Sequence, residues 1–294
     1  MPQTLSAILL LPLLLVVGCQ SVSSRHWTAE ALAESDGFQV PECTLPVDRG
    51  VIVSNIVGTP ETYWSDDGRG YLSLLDRRGK VIHKVFLDKG NELLLHSPKG
   101  MAVLDGFLYF TDNARLLRCS LDRPSASLEQ LAIEPATKLN DVAADDRFVW
   151  ISDTAEGRVW RYDPTSDSTT AIPAPKGVNG VTSWRGKVFA VSWTEHDLYE
   201  LDPRGENPPS PFGLAEHFTN LDGIEVLDDG TFLVSDFMGH KISLVSPNRK
   251  QVRTLIEIKS PADVGVDRRR GVLYVPQFKH DRIAVYRLFK VSQP

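Results

Sequence analysis

Two carboxylates, two carboxamides and one ammonium occupy corresponding points of a recurring pattern in this chain: Glu42, Lys99, Asn140, Asn179 and Asp222, with Ala262 completing the series. From Lys99 onward the steps are 41, 39, 43 and 40 residues, whereas Glu42 to Lys99 takes 57. The excess lies in an enlarged segment, Ile56 to Arg69. Structural positions of a repeat tend to look alike, so unlike polar residues at one position point to a site. Brought together, these side chains would supply hard oxygen donors, which suit calcium first and also magnesium or manganese. No His-x-x-x-His or paired-cysteine spacing offers a softer site for zinc.

The elements that must position these residues are short strands. Phe107-Leu-Tyr-Phe-Thr-Asp112, Phe148-Val-Trp-Ile-Ser-Asp153 and Thr231-Phe-Leu-Val-Ser-Asp236 are dense in β-branched and aromatic residues and bounded by turn formers. Each follows a short apolar strand and precedes a third, with a more variable fourth closing most units. A recurrence near 40 residues with four strands per unit predicts an all-β fold, a six-bladed β-propeller of four-stranded blades, over residues 38–294. The last unit carries three strands of its own, so the segment before Glu42, around Gly37 to Val40, is expected to complete it and remove the open edge. The one helical turn expected lies near Thr28 to Glu34. Propeller geometry places the starts of the first strands around one mouth of the central channel, beside Asn55, Asp112, Asp153, Trp193, Asp236 and Gln277.

The N-terminus reads differently. Leu5 to Val17 is an apolar run, interrupted only by Ser6 and Pro12, and too short to span a bilayer as a helix. It fits a signal-peptide core over residues 1–18, followed by a polar tether over 19–37. Its ending, Val16-Val17-Gly18-Cys19, resembles the lipobox of bacterial lipoproteins, although Met1 to Ser6 lack a basic residue. That resemblance implies a lipid on Cys19, contact with the membrane through that lipid alone and, with Gln20 following, an outer-membrane location facing the periplasm. Cys43 and Cys119 then remain, and their pairing is left open. The chain has 294 residues, 24% of them charged, and a net charge of -6 with acids and bases interleaved, which argues against a nucleic-acid partner.

The ring residues carry a family resemblance. Glu42 together with Leu139-Asn140-Asp141, Val178-Asn179-Gly180 and Leu221-Asp222-Gly223 resembles the signatures of the senescence-marker-protein/gluconolactonase family, over about Glu42 to Leu288. The resemblance implies a six-bladed propeller that hydrolyses lactones or related esters with a divalent metal. Carried over by position, Glu42, Asn179 and Asp222 are metal ligands, Asp222 also helps activate the attacking water, and Asn140 contacts substrate. Glu42 departs from the family context, being followed by Cys-Thr-Leu-Pro, and the segment 56–69 is larger than in a minimal member.

Plainer readings stand beside these. Asp112, Asp153 and Asp236 recur at one place and read as turn caps. Lys99 would orient an anionic substrate, or lie on a solvated rim. His96 and His217 precede ring positions, but a lone loop histidine is ordinarily solvated. Glu195-His196-Asp197 straddles a turn into a strand where alternate side chains diverge. Trp160, Tyr162, Tyr199 and Tyr274 read as packing between blades. Two functions follow: a metal-dependent hydrolase of a small-molecule substrate, or a non-catalytic tethered propeller that binds a small ligand or a protein partner at the same mouth or through the enlarged segment.

Overall fold

In the computed structural model, which describes residues 25–90 and 92–292, six four-stranded antiparallel sheets follow one another around a central channel. The fold is the expected six-bladed β-propeller. Blade 1 comprises Pro41–Val47, Gly50–Asn55, Tyr71–Leu75 and Val81–Leu87, and the innermost strands of the next four blades are Pro98–Leu104, Leu139–Ala144, Val178–Trp184 and Leu221–Val226. Strands two and three are buried along nearly their whole length, because neighbouring blades pack on both of their faces. Trp160 and Tyr162 pack between blades 2 and 3, as their spacing suggests.

The ring closes through the N-terminal segment, further upstream than expected. Arg25–Asp36 is a strand, not a helical turn and not a tether, and it pairs antiparallel with Arg282–Ser292 from Arg25↔Ser292 to Asp36↔Arg282. It thereby becomes the outermost strand of blade 6. The expected Gly37 to Val40 is instead the link into blade 1. At this outer edge the Trp27 Nε1 donates to Asp229 at 3.0 Å. Cys19 and the signal segment 1–18 lie outside the described residues.

One device recurs at the channel mouth. In blades 1 to 5 the pairing of first and second strands slips by one residue at the ring position, between Pro41/Thr44, Pro98/Met101, Leu139/Val142, Val178/Val181 and Leu221/Ile224. A bulge of this kind frees backbone groups and re-aims a side chain. The freed N–H groups are taken by hydroxyls of the second strand: Cys43 donates to Ser54 at 2.9 Å, Asp141 to Ser152 at 2.8 Å and Gly223 to Ser235 at 2.7 Å.

The closing strand yields a test. Removing residues 25–36 exposes the Arg282–Ser292 edge and should lower the thermal midpoint by about 10 °C or more, at roughly 2–4 °C per kcal/mol for a domain of this size. An unchanged midpoint in differential scanning calorimetry would contradict closure by this strand.

Candidate functional site at the channel mouth

The second residue of each inner strand in blades 1 to 5 is the ring residue. Glu42, Lys99, Asn140, Asn179 and Asp222 are all buried, at 5%, 2%, 8%, 6% and 6% exposure. The sequence therefore identified side chains that the fold does bring together. They form the floor of a cavity of about 410 Å³. Asn140 and Asp222 sit in strands, so they are not turn formers.

The floor is a hydrogen-bonded chain with loose ends. Asn140 Nδ2 donates to Asn179 Oδ1 at 2.6 Å, and Asn179 in turn hydrogen-bonds the Asp222 carboxylate. Glu42 Oε2 and Asn140 Oδ1 are buried with no hydrogen-bond partner. Burial first, and then the Asp222 carboxylate, hold the Glu42 carboxyl well above its ordinary range. Burial, reinforced by Asp141, pushes Asp222 up to about 7, although Asn179 opposes the shift.

The two orphaned oxygens and the mutually repelling carboxylates are what a hard divalent cation would satisfy. Glu42, Asn179 and Asp222, with Asn140 beside them, fit such an ion. Among the described residues no three His, Cys, Asp or Glu side chains stand together as a metal cluster, so the amide oxygens have to complete any such set.

Lys99 is not on a solvated rim. Its Nζ donates to Ser97 O at 2.9 Å, Asn113 Oδ1 at 3.2 Å and Tyr63 O at 3.3 Å, which commits its three donors to the protein. Burial pulls its pKa down to about 8, opposed by Glu42, Asp112 and Asp66. The ammonium lies 3.9 Å from the centroid of the Trp64 ring. Lys99 thus fastens the enlarged segment 56–69 against the ring, and that segment contributes Tyr63 and Trp64 to the cavity wall.

The rest of the wall is a second ring, of which the sequence marked only Trp193. Ile56, Thr154, Trp193, Phe237 and Phe278 line the cavity, and each stands one residue past the end of a second strand. The signal was present in the sequence: a Ser-Asn or Ser-Asp pair ends several of these strands, and the residue after it enters the wall. The acid of the pair is structural, as its recurrence suggested. Asp153 accepts Lys138 N at 3.1 Å and Thr137 Oγ1 at 2.7 Å, and Asp236 accepts Thr219 N at 3.0 Å and Asn220 N at 2.9 Å. Asp112 does the same for His96 N at 3.0 Å.

Below the floor lies another acidic layer. Asp141 accepts Val142 N at 2.6 Å and Val181 N at 2.7 Å, and Asp263 hydrogen-bonds both Asp141 and the Cys43 thiol. Burial pushes Asp141 up to about 7. Glycines at the equivalent position make room: a Cβ at Gly100 would come within 2.3 Å of Asp141 Oδ1, and at Gly223 within 2.5 Å of Asp263 Oδ1. Cys43 and Cys119 are both free and buried, so they form no disulfide.

The remaining candidates lie elsewhere. His96 Nδ1 accepts Gly68 N at 2.9 Å, bracing the segment 56–69 from outside the cavity. His217 is exposed at the surface. Asp197 accepts Gly213 N and Leu214 N at 2.8 and 3.0 Å, and Glu195 accepts the Tyr199 hydroxyl at 2.5 Å, so that triplet is local scaffolding.

With this geometry the chain is similar in fold to several solved structures. A protein described as a putative gluconolactonase superposes with a TM-score of 0.67 at 17% identity, covering 91% of this chain and 94% of that one. The fold is shared. A catalytically inactive variant of virginiamycin B lyase from Staphylococcus aureus, solved with quinupristin, gives 0.60 at 15% identity, covering 90% of this chain and 100% of that one. An auxiliary nutrient binding protein from Bacteroides thetaiotaomicron gives 0.67 at 11% identity, covering 90% of this chain and 77% of that one. No protein-family model and no curated protein sequence matches the chain.

The buried carboxyls set a pH dependence. A folded pKa near 7 for Asp222 exceeds its unfolded value, so its contribution is stabilising at low pH and is lost as pH rises through about 7. Lys99, whose folded pKa is about 8, acts mainly above that window. In a chelator the thermal midpoint should therefore fall between pH 5 and pH 8, and Asp222→Asn should flatten the fall. A wild-type midpoint that rises across this range would contradict the assignment.

Proposed function

We propose that the channel mouth is a divalent-metal-dependent hydrolase site for lactones or related esters. Glu42, Asn179 and Asp222 hold the ion, calcium by preference and magnesium or manganese otherwise. One observation carries this reading. Two mutually repelling carboxylates and two carboxamides from four blades share the cavity floor, with Glu42 Oε2 and Asn140 Oδ1 left without partners. A bound cation supplies Lewis acidity to the substrate carbonyl and stabilises its developing negative charge.

The chain's own groups do the rest. Asp222, held ionised beside the cation, accepts a proton from the attacking water. The water oxygen bonds to the acyl carbon, the acyl–alkoxy C–O bond breaks, and the proton passes to the departing alkoxide. Asn140 holds Asn179 through Nδ2, and its Oδ1 is an acceptor for water or substrate. Lys99 offsets the negative charge at Glu42 while fixing the wall, and the aromatic side chains exclude bulk water.

A non-catalytic binding propeller is the second reading, favoured by how much of the wall is aromatic. Calcium at about 100 times its Kd should raise the thermal midpoint by roughly 5–10 °C, the effect of about 2.7 kcal/mol on a domain of this size. Asp222→Ala should abolish that response and lower kcat/KM for lactones by at least about a thousandfold. If the variant keeps both, the metal-hydrolase reading is wrong. A calcium response with no turnover on any lactone or ester would instead leave the binding reading.

We place the protein at the outer membrane facing the periplasm, held by a lipid on Cys19, on the strength of the apolar run that ends in Val16-Val17-Gly18-Cys19. Palmitate labelling in a bacterial host should mark the wild type and be lost in Cys19→Ala. Equal labelling of both would refute the tether.

A further inference from the structure

The cavity has a wall whose chemistry differs from that of its floor. The floor residues Glu42, Asn140, Asn179 and Asp222 are polar. Along one side of them four aromatic rings form a connected belt. The Tyr63 and Phe278 centroids are 5.0 Å apart, Phe278 and Phe237 5.4 Å, and Phe237 and Trp193 5.3 Å. Trp64 extends the wall beside Lys99. Beyond the ring residues, Thr154 and Lys279 are, among the described residues, the only non-aromatic side chains of the lining that end in a nitrogen or oxygen.

Hydroxyl groups buried in such a place lose water without gaining partners, which is costly. A polyhydroxylated ring needs a donor or acceptor at each hydroxyl, and this wall offers few. An alkyl or aryl group needs only apolar surface. The volume of about 410 Å³ falls in the range of small-molecule pockets.

The belt is also held in place before any ligand arrives. Asn113 Nδ2 donates to Ser65 O at 3.1 Å and to Asp66 Oδ1 at 2.7 Å. Together with the bonds from Lys99 to Tyr63 and from Gly68 to His96, these tie residues 63–68, while Ile56 N and Val57 N donate to Val40 O and Gln39 O at 3.1 and 3.2 Å at the start of the segment. A wall built this way does not have to be ordered by its ligand, so its apolar contacts count fully toward recognition.

We infer that the site selects lactones or esters carrying an alkyl chain or aryl group, and discriminates against polyhydroxylated sugar lactones. Its chemistry rests on the hydrolase reading above; the selectivity applies to binding as well as to turnover. The enlarged segment 56–69 is the specificity element, with Trp64 and Trp193 flanking the bound apolar group.

The test uses the mature chain in calcium, with δ-hexalactone, δ-octalactone and δ-decalactone set against D-glucono-δ-lactone. Turnover gives one readout. Quenching of tryptophan fluorescence in Asp222→Asn gives a second that does not depend on hydrolysis. Affinity should rise about three- to fourfold per added methylene, the usual value for burying a CH2 group. Decalactone should exceed gluconolactone by at least about a hundredfold in kcat/KM. Trp64→Ala should raise KM for decalactone about tenfold with kcat within about twofold, and Trp193→Ala should do the same if Trp64→Ala proves unstable. Chain-length-dependent quenching without turnover of any lactone would sustain the selectivity and overturn the hydrolase reading. Turnover that favours gluconolactone or ignores chain length would do the reverse, and absence of both quenching and turnover with decalactone would overturn the selectivity outright.

Discussion

Closing six inner strands around one axis forces the second residue of five of them into a common, water-poor space. Whatever occupies those positions must be compatible with its counterparts. Here two of them are carboxylates; burial and Asp222 raise the cost of ionising Glu42, and burial and Asp141 that of Asp222. Hydrophobic residues at the same points would give a more stable ring, as in most buried ion clusters. The arrangement persists because Asn179 bonds Asp222, Lys99 lies near Glu42, and the remaining demand is left for a ligand. Strain of this electrostatic kind is what a binding or catalytic site uses, and the rest of the propeller holds it in place.

Much of that support is a repeated clasp at the mouth. A serine or threonine near the end of the second strand faces the bulged first strand, as Ser54, Ser152 and Ser235 do through hydrogen bonds to its N–H groups. The acid after it gathers N–H groups from the loop that feeds that strand, as Asp153 and Asp236 do. The next residue turns into the cavity wall. One short motif therefore fixes the ring, the approach to it and the wall above it. Blades can then vary the ring and wall residues without disturbing the clasp, which is how a repeat protein carries an asymmetric site.

The fold was legible because period and strand composition survive in a single sequence, and five polar residues of four types at one repeat position pointed to the floor. The closing strand was not, because Thr28 to Glu34 has no strong strand composition of its own. Its conformation is decided by the open edge of Arg282–Ser292, more than 240 residues away. The wall escaped for a related reason: Phe237 and Phe278 look like ordinary propeller aromatics until the clasp shows which way the chain turns. Lys99 stands in the ring, yet beyond its neighbour Ser97 its partners Tyr63 and Asn113 come from separate segments, and no local pattern announces such a convergence.

Manganese soaked into crystals of the protein, and located by its anomalous scattering, probes the central claim directly. The account predicts a single strong peak on the floor of the mouth, within about 2.0–2.6 Å of oxygens from Glu42, Asn179 and Asp222. A peak held instead by Asp141 and Asp263 in the deeper layer, or no peak in the channel at all, would contradict it.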